Sequence, residues 1–149
     1  MDKYELRIIM LTGVMLVIFL VAVLRGIAKY ATDIPECIPY DEAYLQPDIK
    51  EVDEGVYQVF MLAQMWSFEP SEIYLPVGAE VDFYLSSKDV VHGLHIADKS
   101  INMMAVPGGI NKTTVTFSQP GVYPIVCHEY CGSGHQHMKA EVIVNYPTN

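Results

Sequence analysis

Nineteen consecutive residues, Leu6–Leu24, carry a single charge, Arg7, and read LRIIMLTGVMLVIFLVAVL. No water-soluble fold of a short chain can hide such a run on all sides. At about 1.5 Å per residue, a helix of this length is close to the roughly 30 Å of a bilayer's hydrocarbon core. Arg7 can extend its guanidinium toward the near interface, and Arg25 and Lys29 bracket the far end. A secretory signal would have a shorter apolar core, about 7–15 residues, followed by a small-residue cleavage site. Ala28-Lys29-Tyr30-Ala31 is a poor version of such a site. The reading is a retained anchor over residues 1–30, with its helix at about 6–25.

The anchor divides the charge. Residues 1–30 hold two acids and four bases, whereas the other 119 residues hold 16 acids and five lysines, a balance of −11. So acidic a domain repels phosphate backbones, which excludes nucleic acid as a partner. It can instead draw in a basic protein and speed encounter. Lys3 and Arg7 on one side match Arg25 and Lys29 on the other, so the positive-inside rule does not orient the chain.

Residues 31–55 are acidic and punctuated by Pro35, Pro39 and Pro47. They read as a linker, with one short helix near Asp41–Leu45 and an unliganded thiol at Cys37. From Val56 the texture changes to short runs rich in Val, Ile, Tyr, Phe and Thr. Seven strands are expected, at 56–63, 72–75, 79–86, 90–97, 112–117, 121–127 and 139–146. Turns such as Pro107-Gly108-Gly109 and Gln119-Pro120-Gly121 separate them. This spacing predicts a mainly β domain over 56–149, an antiparallel sandwich or barrel.

One loop of that domain carries the chemistry: Cys127-His128-Glu129-Tyr130-Cys131-Gly132-Ser133-Gly134-His135-Gln136-His137-Met138. Within twelve residues stand two thiols, three imidazoles and a thioether, between two expected strands. Three cysteines, two of them four residues apart, do not make a disulfide framework. Thiolate and thioether are soft ligands, and imidazole suits copper, zinc and iron alike. One Cys, two His and a weak Met make a mononuclear blue-copper site. The second cysteine exceeds that recipe, and two thiolates can bridge two coppers that share one unpaired electron. One imidazole must then come from elsewhere, either His92 or His95 in Asp89-Val90-Val91-His92-Gly93-Leu94-His95.

The pattern Cys-x-x-x-Cys-x-x-x-His-x-x-Met with an upstream Val-x-His-Gly-x-x-His element resembles the copper A (CuA) motif of cytochrome c oxidase subunit II. A single N-terminal helix, the Cys-x-x-Tyr-Cys-Gly-x-Gly-His-Gln-x-Met pattern and the phrase Ile101-Asn102 are similar to the B-type haem-copper oxidases. The resemblance implies a cupredoxin-like domain holding two copper ions. Cys127 and Cys131 would bridge them, and His92 and His135 would cap one each. Met138 and the backbone carbonyl of Glu129 would be the weak ligands. His95, His128 and His137 have no ligand place in it. Glu129 departs from the neutral residue expected in the B-type loop. In the more common oxidases such a carboxylate also reaches a magnesium or manganese ion at the contact with subunit I. The resemblance further implies Trp66, with Phe68 close by, as the port for electrons. The partners it implies are cytochrome c as donor and a haem-containing subunit I as acceptor, with oxygen chemistry in the latter. The chain would then be single-pass in the cell (inner) membrane, N-terminus cytoplasmic and copper domain extracytoplasmic.

Other proteins with related parts fit less well. Nitrous oxide reductase has a similar copper domain but adds a large catalytic one. A copper-delivery protein of the Sco type needs alternating helices and strands. A quinol oxidase subunit lacks the ligands, and a structural zinc site would leave Met138 idle.

Overall fold

The computed structural model describes residues 2–30, 36–38 and 46–146. It divides into two compact units, Met1–Thr32 and Asp33–Asn149.

The first unit is one helix, α1, Lys3–Tyr30. It runs past the expected 6–25 at both ends because Lys3, Tyr4 and Glu5 and then Ile27, Ala28, Lys29 and Tyr30 are tolerable helix formers, no Pro intervenes, and the helix continues through Gly26. Asp2 donates its N–H to the Glu5 carboxylate at 2.9 Å, closing the first turn. The 28 residues rise about 42 Å, enough to cross a bilayer and extend beyond it. The large apolar side chains of α1, such as Ile8, Met15 and Phe19, are exposed.

The second unit is a two-sheet sandwich. In chain order its strands are β1 (Glu36–Ile38), β2 (Asp48–Asp53), β3 (Val56–Gln64), β4 (Ser67–Glu69), β5 (Glu72–Pro76), β6 (Ala79–Ser87), β7 (His92–Ile96), β8 (Ile101–Ala105), β9 (Ile110–Phe117), β10 (Gly121–Val126) and β11 (Lys139–Asn145). One sheet has the order β1-β9-β6-β3-β2, with β4 paired to β3, and the other β5-β11-β10-β7-β8.

The mainly β sandwich expected from the sequence is present, but its pairing is mixed, not wholly antiparallel. β3 runs parallel to β6, and β5 parallel to β11. The cause is the connection after β3, which crosses to the other sheet to form β5 before returning as β6; parallel neighbours require such a crossover. The sheet also begins earlier than expected. β2 lies inside the stretch read as linker and pairs antiparallel with β3, all six of its residues exposed. The expected short helix at 41–45 falls outside the described residues. The strand expected over 90–97 starts only at His92. Ahead of it, Asp89 and Ser87 side chains bond the backbone of Val90, which holds the segment as a turn.

Alternation builds the core. In β6 Val81, Phe83 and Leu85 point inward and are fully buried, while Glu80, Asp82 and Tyr84 point away. Phe83 meets Phe117 of β9 edge to face, with ring centroids 6.3 Å apart. Ile125, Val142 and Val144 of the facing sheet complete the layer. Phe83→Ala should cost about 3–5 kcal/mol. Denaturant unfolding followed by the fluorescence of the single tryptophan measures it; an unchanged midpoint would contradict the packing described.

Candidate metal centre

At one end of the sandwich the β10–β11 connection folds back on β7. Cys127 N–H donates to the Met138 carbonyl at 3.1 Å, closing the loop at its base. Inside it the chain turns tightly: His135 N–H reaches the Gly132 carbonyl at 3.1 Å, and His137 N–H the Gly134 carbonyl at 2.9 Å. Gly132 has φ of +119°, a conformation that a residue with a Cβ rarely adopts.

These turns gather the soft donors. The sulfur atoms of Cys127 and Cys131 lie 3.8 Å apart, well beyond the roughly 2.05 Å of a disulfide. Cys131 Sγ is 3.6 Å from His135 Nδ1 and 3.8 Å from Met138 Sδ. Cys127 Sγ is 3.3 Å from the carbonyl oxygen of Glu129. Cys127, Cys131 and Met138 are buried.

The remaining imidazole comes from β7. His92 is fully buried, and one of its ring nitrogens, Cys127 Sγ and Cys131 Sγ all lie within 4.8 Å of one another. His95 is three positions on, so the pleat turns it to the opposite face. There its Nδ1 bonds the Ile101 carbonyl at 2.9 Å. His137 is exposed. His128 lies outside the donor cluster, with its ring against the outer face of β7.

Asp89 was not singled out by the sequence reading, although it stands three residues before His92. Its Oδ1 is 2.8 Å from His92 Nε2 and 2.6 Å from Val90 N, and its Oδ2 accepts the Met65 N–H at 2.7 Å. Burial pushes the Asp89 carboxyl up, but the His92 ring and the two backbone N–H groups outweigh it and hold it below its ordinary value. A carboxylate facing Nε2 fixes the tautomer with the proton there, which leaves the Nδ1 lone pair free. That Nδ1 is buried and has no hydrogen-bond partner. An orphaned basic nitrogen beside two thiols fits a soft or borderline metal ion better than it fits an apolar core.

Trp66 sits at the tip of the β3–β4 hairpin. Its Nε1 donates to the Cys131 carbonyl at 3.1 Å, and it remains 41% exposed. A Cβ on Gly134 would come within 2.4 Å of the indole, so the ring rests directly on the loop backbone. Phe68, paired with it in the sequence reading, is 1% exposed and lies in the core, presenting no face to solvent.

The comparisons with known proteins bear on this arrangement. The sequence model described as cytochrome C oxidase subunit II, periplasmic domain, matches residues 38–145. The chain belongs to the cytochrome c oxidase subunit II family. It is 41% identical over 88 residues to a cytochrome c oxidase subunit 2 of Thermus thermophilus, covering 59% of this chain and 65% of the relative. The same identity and share of this chain hold against a second, longer cytochrome c oxidase subunit 2 of Thermus thermophilus, of which 52% is covered. The chain thus spans between half and two thirds of the length of these curated relatives. A chain in the cryo-EM structure of a heme-copper terminal oxidase dimer superposes with TM-score 0.80 at 36% identity, over 96% of this chain and 100% of that one. The periplasmic domain of subunit II of cytochrome oxidase (CoxB) of Bradyrhizobium japonicum shares the fold, with TM-score 0.56 at 18% identity, over 60% of this chain and 83% of that one.

Two measurements follow from the geometry. Asp89→Ala should lower copper affinity about 10–100-fold in chelator competition, because it releases the His92 ring. Equal affinities would remove Asp89 from any orienting role. Burial, together with the Cys127 thiol, pushes the Cys131 thiol from 9.0 up to about 11. The folded group keeps its proton where the unfolded one loses it, so its stabilisation is complete below about pH 9 and lost as pH rises toward about 11. The metal-free chain should therefore lose unfolding free energy across that window, and Cys131→Ser should lose less.

Proposed function

We propose that this chain is the electron-transfer subunit of a terminal haem-copper oxidase. In this reading a binuclear CuA centre takes electrons from cytochrome c and passes them to haem in subunit I, supporting reduction of oxygen to water. The observation that carries it is the convergence of two buried thiols, an orphaned His92 Nδ1, His135 and Met138, in a chain of this family.

The proposed ligands are His92, Cys127, Cys131, His135, Met138 and the Glu129 carbonyl. When bound, the copper pair supplies a one-electron store whose charge is shared by two ions. The chain's own residues do the rest. The 3.8 Å between the two sulfurs allows both to reach the same ion at thiolate–metal bonds of about 2.3 Å. Asp89 presents His92 in its ligating tautomer. Burial of the sulfurs excludes water, so little solvent has to reorganise when charge arrives. Trp66 joins the surface to the Cys131 carbonyl by one hydrogen bond, and is the residue we assign as the electron port. Phe68 supports that hairpin from within the core.

The helix α1 is assigned to a single pass of the cell (inner) membrane, with its N-terminus cytoplasmic and the copper domain extracytoplasmic. A magnesium or manganese ion at the contact with subunit I would use the Glu129 carboxylate. That side chain is 46% exposed, but its Oε1 already faces His128 Nδ1 at 3.5 Å.

Copper loading of the full chain in detergent tests the reading. The expected product is purple, holds two coppers, and shows the hyperfine pattern of one electron shared by two copper nuclei. A colourless protein would point to zinc, and a one-copper blue spectrum to a mononuclear site; either sinks the proposal. Cys131→Ser should lose the binuclear spectrum and His95→Asn should keep it. Trp66→Phe should keep it too but slow reduction by ferrous cytochrome c. An unchanged rate would remove Trp66 from the electron path.

A further inference from the structure

His128 stands between two groups that face the centre, the Cys127 thiol and the Glu129 carbonyl. Its own side chain turns to the other side of the loop. There the imidazole lies flat on the backbone of β7 at Gly93, the residue after His92. A Cβ built at Gly93 would come within 2.5 Å of Cε1 and Nε2 and 2.7 Å of Nδ1 of that ring. Real side chains do not approach so closely, so the ring fills the space that any other residue at 93 would need. The His128 N–H also donates to the Gly93 carbonyl at 3.3 Å. The ring meets His95 edge to face at 6.1 Å, and its Nδ1 lies 3.5 Å from the Glu129 carboxylate. Its Nε2 is buried with no hydrogen-bond partner. A polar ring atom left unpaired in this way shows that shape, more than hydrogen bonding, places the imidazole here.

We propose that His128, seated on Gly93, is a positioning residue for the metal centre. By locking the loop against the backbone of β7, it fixes how closely the Glu129 carbonyl approaches. Three contacts hold one short segment to one short strand: ring on glycine, amide to carbonyl, and ring edge to His95. The clamped segment bears a bridging sulfur and the weak oxygen donor, and the strand it is clamped to bears His92. Loosening the clamp leaves the thiolate, imidazole and thioether donors in place but frees the carbonyl to move outward. A neutral oxygen donor favours the more oxidised ion, so its retreat raises the reduction potential. Neither His128 nor Gly93 belongs to the proposed ligand set. The inference rests on the copper reading above and deepens it.

The test uses the full chain in detergent, copper-loaded, with three variants and one double variant. Wild type must first give the two-copper spectrum; its failure there would count against the copper reading, not against the clamp. His128→Ala should still bind two coppers but with altered hyperfine spacing and a higher reduction potential. Gly93→Ala should shift both the same way by pushing the ring off. The double variant Gly93→Ala/His128→Ala should be no more perturbed than His128→Ala alone, because the added methyl then enters vacated space. His128→Phe keeps a flat ring and should stay near wild type, which also covers the case in which His128→Ala does not fold. In the metal-free chain, the Gly93 α-proton resonances should be displaced by the ring current in wild type and return to ordinary values in His128→Ala. The proposal is overturned if His128→Ala matches wild type in potential and spectrum. It is equally overturned if the two single substitutions add in the double variant, or if His128→Phe is as perturbed as His128→Ala.

Discussion

The Asp89 carboxylate gathers the His92 ring and two backbone amides, and the ordering of the site depends on it. One bond reaches His92, one turns the chain at Val90, and one crosses to the Met65 amide beside Trp66. The same group therefore sets the tautomer of His92, ends the turn before β7, and anchors the hairpin that carries the exposed indole. A carboxylate so surrounded stays ionised, which keeps the proton on His92 Nε2 and the opposite nitrogen bare. With the imidazole fixed this way, the buried thiols of the loop meet a preformed donor and not a rotating ring.

Most of the loop is legible in the sequence. Cysteine, histidine and methionine within twelve residues specify soft coordination by composition alone, and the two glycines announce tight turns. In the bare sequence the choice between His92 and His95 needed the resemblance, yet the strand itself supplies the physical reason. An odd separation on a pleated strand places the two on opposite faces, so they cannot both serve. What escaped was tertiary. Asp89 reads as an ordinary turn residue until the Met65 amide is brought to it from another hairpin. The role of Gly93 depends on a ring that lies 35 positions further along the chain.

The fold was legible to a similar depth. Strong alternation identified β6 and β9, although the buried residues of β9 include the polar Asn111 and Thr113. β2 escaped because an edge strand open to water on both faces has no apolar side to betray it. The parallel pairs escaped because strand direction is set by where a connection travels, and nothing local in Glu72–Pro76 tells that β5 joins the opposite sheet. Phe68 shows a converse limit: proximity to Trp66 in sequence suggested a shared surface, but Trp66 lies in the turn at the hairpin tip whereas Phe68 lies on β4 and faces the core.

The closing bond between Cys127 and Met138 makes the loop a nearly self-contained donor set, while His92 arrives from a distant strand. Bringing together groups within twelve residues requires closing only a small ring of chain, whereas recruiting His92 requires the second sheet to have assembled. The chelating power of the site is thus divided unequally in time. Soft donors are available as soon as the last hairpin forms, and the final nitrogen only when the sandwich is complete. A metal ion held by all of them bridges the end of the chain to its middle, and so reports, by its coordination, that the sandwich around it has closed.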